Sequence, residues 1–192
     1  MKKVLLLGDS IRMGYDEIVQ DLLKNECEVY FSKDNGRFTA YTLKQAIQMF
    51  ISHGHFDVVH WNNGYWDMDI ESPTGEPLIP PEDYMRFLRR IIRTLRAYDA
   101  QVIFATTTPV CEDGGATDTQ TGANLRFKNE WVQHYNAAAK IVMEEENVPV
   151  NDLCHLCLQG QGYYKCPDGL HLTQEGYQKC AEQVCDHIRR YL

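Results

Sequence analysis

Val4-Leu5-Leu6-Leu7-Gly8-Asp9-Ser10-Ile11 holds an apolar run of strand length and a turn that ends it on a glycine, a carboxylate and a hydroxyl. Four apolar residues fall short of the about 7 to 15 that a secretory signal needs, even behind Lys2 and Lys3. The run therefore reads as a buried strand. Residues 16–26 after it place Ile18, Val19, Leu22 and Leu23 on one helical stripe.

The same alternation continues outward along the chain. Residues 27–31 are a second predicted strand, and 41–51 a helix with Leu43, Ala46, Ile47 and Phe50 inward. Residues 56–61 are a third strand, nearly continuous in apolar residues, as a strand covered on both faces should be. Pro81-Glu82-Asp83 opens a helix to about residue 98, with proline and acidic side chains suited to a first turn. Its inner face carries Met85, Leu88, Ile91, Ile92 and Leu95, and Arg86, Arg89, Arg90, Arg93 and Arg96 lie mostly outside. Residues 102–106 are a fourth strand, 130–145 a helix, 148–153 a short fifth strand and 174–191 a terminal helix. Strands alternating with helices predict a three-layer α/β fold with a five-stranded parallel sheet, and 192 residues suit one domain spanning 1–192. Ligands of such sheets bind outside the carboxyl ends of the strands, which singles out the loops after Leu7, Phe31, Trp61 and Thr106 and the segment before the last helix.

Composition narrows the function classes. Hydrophobic residues at 44% and charged residues at 24% are ordinary for a soluble globular protein and argue against disorder. A net charge of -8 repels a phosphate backbone, so the arginine-rich helix reads as a solvated face and nucleic acid is not an expected partner. Seven cysteines at irregular spacing suit a reducing compartment, and no stretch approaches the roughly 18 to 20 apolar residues of a membrane span. A cytoplasmic protein without membrane partners is expected. Cys154-His155-Leu156-Cys157 with Cys166 hints at zinc, yet a second Cys-x-x-Cys half is missing, so no metal is expected.

Two segments at predicted strand ends carry chemistry. Alone, Gly8-Asp9-Ser10-Ile11 reads first as a helix cap, since Asp and Ser accept hydrogen bonds from free helix N–H groups. The sharper reading makes Ser10 a nucleophile at a strand-to-helix turn, where helix N–H groups can stabilise an oxyanion. Near the other end stands Pro167-Asp168-Gly169-Leu170-His171-Leu172-Thr173. Asp168 and His171, three apart, can face one another across a tight turn, the carboxylate holding imidazole Nδ1–H and leaving Nε2 to take a proton. Alone this is equally an Asp-Gly turn ahead of a helix capped by Thr173.

Together, Gly8-Asp9-Ser10 and Asp168-x-x-His171 resemble the first and fifth sequence blocks of the SGNH hydrolases of the GDSL type, a likeness running the length of the chain. The resemblance implies a flavodoxin-like α/β/α sandwich and an esterase, lipase, thioesterase or carbohydrate deacetylase activity. It implies Ser10, Asp168 and His171 as the catalytic triad. It also implies oxyanion donors at the Ser10 N–H, at the N–H of Gly36 in Asp34-Asn35-Gly36-Arg37, and at an asparagine amide after the third strand. Gly36 also sits in an ordinary Asn-Gly turn. The third block departs from the family's Gly-x-Asn-Asp and reads Asn62-Asn63-Gly64-Tyr65-Trp66-Asp67. Asn63 is favoured over Asn62, because strand alternation turns one of the two away. No cofactor is required.

Asp9, Arg37, Tyr65 and Trp66 are the candidate substrate contacts, with Arg126 a further cation, and the long loops 64–80 and 109–127 would shape the pocket. Tyr65 or Trp66 could form a wall for a sugar ring or pack beneath its loop. With no membrane-binding helix or apolar lid in view, the expected reaction is hydrolysis of short-chain, chiefly acetyl, esters, with O-acetylated carbohydrates as the substrate class. Thioesterase or lysophospholipase activity is the alternative within enzymes. A non-catalytic binding protein on the same fold is the alternative outside them.

Overall fold

The computed structural model describes residues 1–70, 73–110, 115–117, 124–160 and 169–192. In chain order the strands are β1 (Lys3–Leu7), β2 (Glu28–Phe31), β3 (Val58–Asn62), β4 (Gln101–Ala105), β5 (Gly115–Thr117), β6 (Asn124–Arg126) and β7 (Val150–Asn151). The helices are α1 (Ser10–Leu23), α2 (Thr39–His53), α3 (Tyr65–Met68), α4 (Pro81–Ala97), α5 (Asn129–Glu145), α6 (Leu153–Gln159) and α7 (Gln174–Arg189). Five strands form one parallel sheet in the order β2-β1-β3-β4-β7, and β5 and β6 pair antiparallel as a separate ribbon inside the predicted loop 109–127. This is the α/β fold expected from the alternation.

Apolar runs rather than alternating ones mark the central strands because both faces are covered. Val4, Leu5, Leu6 and Leu7 have no exposed surface, and β3 is buried along its whole length. α1 packs against α7, and α4 packs between α2 and α5. Right-handed crossovers put these two groups on opposite faces of the sheet. Strand order reverses between β1 and β3, so the crevice for a ligand opens at the carboxyl ends of those two strands.

Departures from the sequence expectation have local causes. α1 starts at Ser10 rather than near residue 16, because Asp9 caps it by accepting the Ile11 N–H at 3.0 Å. Its buried apolar ladder is Ile11, Tyr15, Val19 and Leu23, one residue every turn, and Leu22 is exposed. The fifth strand shrinks to two residues, since Asp152 accepts the His155 N–H and starts α6 instead. In α4, Tyr84 is fully buried where Met85 was expected, and the arginine face is solvated, with Arg89 reaching Glu145 at 2.6 Å. Gly14 brings α1 and α7 into close contact, for a Cβ there would fall inside the Tyr177 ring. That contact matters below, because α1 begins at Ser10 and α7 follows His171. No helix among the described residues is long and apolar enough to cross a membrane.

Candidate active site

Ser10 is the first residue of α1, at the carboxyl end of β1. At that position its backbone N–H has no intrahelical acceptor. His171 comes from the other end of the chain, between the buried Leu170 and Leu172 that anchor its segment to the core. Two residues on, Thr173 caps α7 by accepting the Gly176 N–H at 3.1 Å. The packing of α1 on α7 brings the two residues together, with His171 Nε2 2.8 Å from Ser10 Oγ. That is hydrogen-bond distance, and with the ring hydrogen on Nδ1 the Nε2 atom is the acceptor of the serine proton. Asp168 lies outside the described residues.

Around Ser10 the oxyanion candidates fall differently from expectation. The Gly36 N–H donates to the Gly8 carbonyl at 2.8 Å, so this donor is committed to backbone. Its glycine identity has a packing cause, since a Cβ at residue 36 would lie 2.5 Å from the Gly8 oxygen. Asn63 is buried, and its Nδ2 donates to the Arg37 carbonyl and to Thr42 Oγ1, each at 2.9 Å. Both of its amide hydrogens are therefore spent on the loop after β2 and on α2. Asn62 Nδ2 instead donates to Asp9 Oδ1 at 2.9 Å, and its side chain fills the space where Gly8 lacks a Cβ. The pleat separates the two asparagines, and Asn62 is the one that faces the Gly8-Asp9-Ser10 turn.

The candidate substrate contacts also sort themselves. Asp9 is fully buried, and its Oδ1 accepts from Ile11 and Asn62. Burial pushes its carboxyl above the ordinary carboxylate range, opposed by the Asn62 and Ile11 hydrogen bonds and the nearby His171 and Arg12. Asp9 is thus a cap and a tether rather than a surface that meets substrate. Tyr65 is also buried, its hydroxyl donating to the Thr108 carbonyl at 2.5 Å and its ring 5.0 Å from that of Phe127. It packs beneath its loop and forms no wall. Trp66, half-buried, keeps surface to offer. Arg37 takes a left-handed φ of 49°, and its guanidinium lies over the Tyr41 ring at 5.3 Å. The side chain of Arg126 and the whole of Cys166 lie outside the described residues. Cys157 faces Cys180, Sγ to Sγ 3.8 Å, and among the described residues no three His, Cys, Asp or Glu side chains group to hold a metal ion.

Two buried ionisable side chains escaped the sequence reading. Arg12 lies on the inner face of α1, paired with Asp16 at 2.6 Å, where a cation interrupts the apolar stripe. Asp67 caps α2 from another element, its Oδ1 accepting from the Thr39 N–H at 2.9 Å and the Thr39 hydroxyl at 2.6 Å. Burial pushes the Asp67 carboxyl up to about 7, against the Thr39 hydrogen bonds and with the charge of Asp9. Unfolded, it ionises near its ordinary 3.8. The stability this neutral carboxyl contributes is complete below that value and declines as the pH rises toward about 7. Asp67→Asn keeps an oxygen for Thr39 and removes the titration, at a cost that does not vary with pH. Thermal unfolding is expected to show the variant gaining on the wild type between about pH 4 and about pH 7, and a constant difference across that range would remove the assignment.

The model of the GDSL-like lipase/acylhydrolase family matches residues 6–179. None of the curated proteins compared with the chain matches it. Among solved structures, a lipase/acylhydrolase from Enterococcus faecalis is similar at 20% identity over 99% of this chain and 96% of that one, with a TM-score of 0.77. An acetyl xylan esterase is similar at 20% identity over 97% and 99% of the two chains, with a TM-score of 0.74. A carbohydrate acetylesterase family member from Sinorhizobium meliloti is similar at 18% identity over 100% and 99%, with a TM-score of 0.73. At these identities the likeness speaks to the fold.

Proposed function

Because the chain belongs to the GDSL-like lipase/acylhydrolase family, whose members hydrolyse acyl esters, we propose that it is a serine esterase of acetyl esters, with O-acetylated carbohydrates as its substrate class. The observation that carries the reading is the hydrogen bond between His171 Nε2 and Ser10 Oγ at 2.8 Å, joining residues 161 positions apart. A nucleophile and its base at that separation are the working pair of acyl transfer.

Ser10 Oγ attacks the ester carbonyl as His171 Nε2 takes its proton, forming a tetrahedral intermediate. The negative oxygen meets the Ser10 N–H and the second amide hydrogen of Asn62, the first being held by Asp9. Collapse breaks the bond to the leaving oxygen, which takes the proton from His171 and departs as the alcohol. The acetyl group is left on Ser10. Water, deprotonated by the same imidazole, repeats the sequence, releasing acetate and restoring the Ser10 hydroxyl. Asp168, three residues before His171, orients the ring and balances its charged form.

The acetyl assignment draws on the similar structures described as an acetyl xylan esterase and a carbohydrate acetylesterase family member. Trp66, with ring surface available beside the Asn62 strand end, suits stacking against a sugar. A series of aryl esters of increasing chain length is expected to show highest kcat/KM for acetate. A preference for long chains would replace this reading with a lysophospholipase or thioesterase, and no turnover of any ester would favour a binding protein. Trp66→Ala is expected to lower hydrolysis of acetylated xylo-oligosaccharide relative to aryl acetate, and an unchanged ratio would end the sugar-wall assignment.

A further inference from the structure

The mechanism above makes no use of Arg12, a fully buried cation two residues after the nucleophile. Its guanidinium makes four bonds. Nη1 donates to Asp16 Oδ2 at 2.6 Å and to the Ser32 carbonyl at 2.8 Å, and Nη2 to the Asp34 carbonyl at 3.0 Å and the Gly8 carbonyl at 3.4 Å. Asp16 alone would neutralise the charge. The three carbonyls belong instead to two loops that frame the site, Gly8 to the turn entering Ser10, and Ser32 and Asp34 to the loop after β2.

These loops meet again where the Gly36 N–H donates to the same Gly8 oxygen. From the α2 side, Gln45 Nε2 holds the Asp34 carbonyl at 3.0 Å, Thr42 Oγ1 holds the Gly36 carbonyl at 2.8 Å, and Tyr41 bonds the Asp34 carboxylate. The loop after β2 is therefore fixed to α2 independently, and Arg12 ties the nucleophile turn to that fixed body. The tie is needed because Gly8 has φ +145° and no side chain to set its own conformation. Only Asp9 separates it from Ser10.

We propose that Arg12 is a positioning residue, whose planar fork clamps the Gly8, Ser32 and Asp34 carbonyls and so keeps Ser10 in register with His171. The proposal rests on Ser10 being the nucleophile. Arginine suits the task because its donors leave in fixed directions from one rigid plane, whereas lysine offers a point charge on a flexible stem. Misplacing a reacting atom by about 1 Å costs on the order of 100-fold in rate, which sets the expected effect.

The test is the rate at which an aryl fluorophosphonate labels Ser10, a reaction independent of the natural ester. Ser10 Oγ bonds phosphorus, fluoride leaves and His171 takes the proton. Wild type that fails to label, with Ser10→Ala as control, would overturn the nucleophile and with it the reading of function. With wild type labelled, Arg12→Met combined with Asp16→Leu removes the clamp without orphaning a buried carboxylate. This pair is expected to melt close to the wild type and to label on the order of 100-fold more slowly. Arg12→Lys keeps the charge opposite Asp16 and carries the same test should the pair not fold, with labelling slowed and KM for aryl acetate unchanged. Asp16→Asn keeps all three carbonyl bonds and should label near the wild-type rate. Full-rate labelling by Arg12→Lys or by the pair, or an Asp16→Asn loss as large as theirs, would overturn the proposal.

Discussion

Replacing Ser10 by alanine is expected to lower kcat/KM for aryl acetate by about 10⁴- to 10⁶-fold while leaving the melting temperature in place. Both halves follow from the local structure. Oγ is the atom that would carry the acetyl group, so its removal leaves only the binding and electrostatic groups to assist attack by water. The fold is spared because the cap of α1 is Asp9, whose Oδ1 receives the Ile11 N–H at 3.0 Å, and not Ser10. His171→Ala should cost nearly as much, since the base has no purpose without the nucleophile. The double variant should be no worse than the worse single one. Steady-state kinetics on the three proteins decides it. Multiplying losses, or hydrolysis that survives the serine change, would mean that the 2.8 Å contact between Ser10 and His171 is not the reacting pair.

What was legible in advance, and what was not, divides by the range of the interaction. β1 and β3 were readable because continuous apolar runs have few alternatives to a strand covered on both faces, and α4 because proline and acidic residues mark its start. The Ser10–His171 pairing was readable only through the resemblance of two short blocks, since nothing local ties residues 161 apart. The first turn of α1 was missed because Arg12 breaks the apolar period, and the charge makes sense only once carbonyls from two loops converge on it. Sequence leaves Tyr65 open between a sugar wall and a packing role, because a loop aromatic carries no mark of the carbonyl that will receive its hydroxyl. Period-two alternation established that Asn62 and Asn63 point apart, but not which faces α1. That depends on how β3 is rotated in the sheet, and Tyr15 of α1 against His60, two residues before Asn62, reveals it only in three dimensions.

That rotation gives the second large effect. Asn62→Ala is expected to lower kcat for aryl acetate by about 10²- to 10³-fold with little change in KM, as loss of one oxyanion donor does when it acts only in the transition state. Asn62→Asp should be worse than alanine, because it removes the same donor and sets a carboxylate against the buried Asp9 carboxyl, already pushed up by burial. Asn63→Ala should behave otherwise. Its amide holds the Arg37 carbonyl and the Thr42 hydroxyl, so its loss removes two hydrogen bonds between β3, the loop after β2 and α2 and destabilises by about 1 to 3 kcal/mol. The folded fraction should nevertheless turn over aryl acetate with a kcat near that of the wild type. Measured kcat and melting temperature for the two alanine variants separate the roles, because both changes remove buried hydrogen bonds but only the Asn62 change is expected to lower kcat strongly. The opposite pattern would return the oxyanion assignment to Asn63 and require its two hydrogen bonds to break when substrate binds.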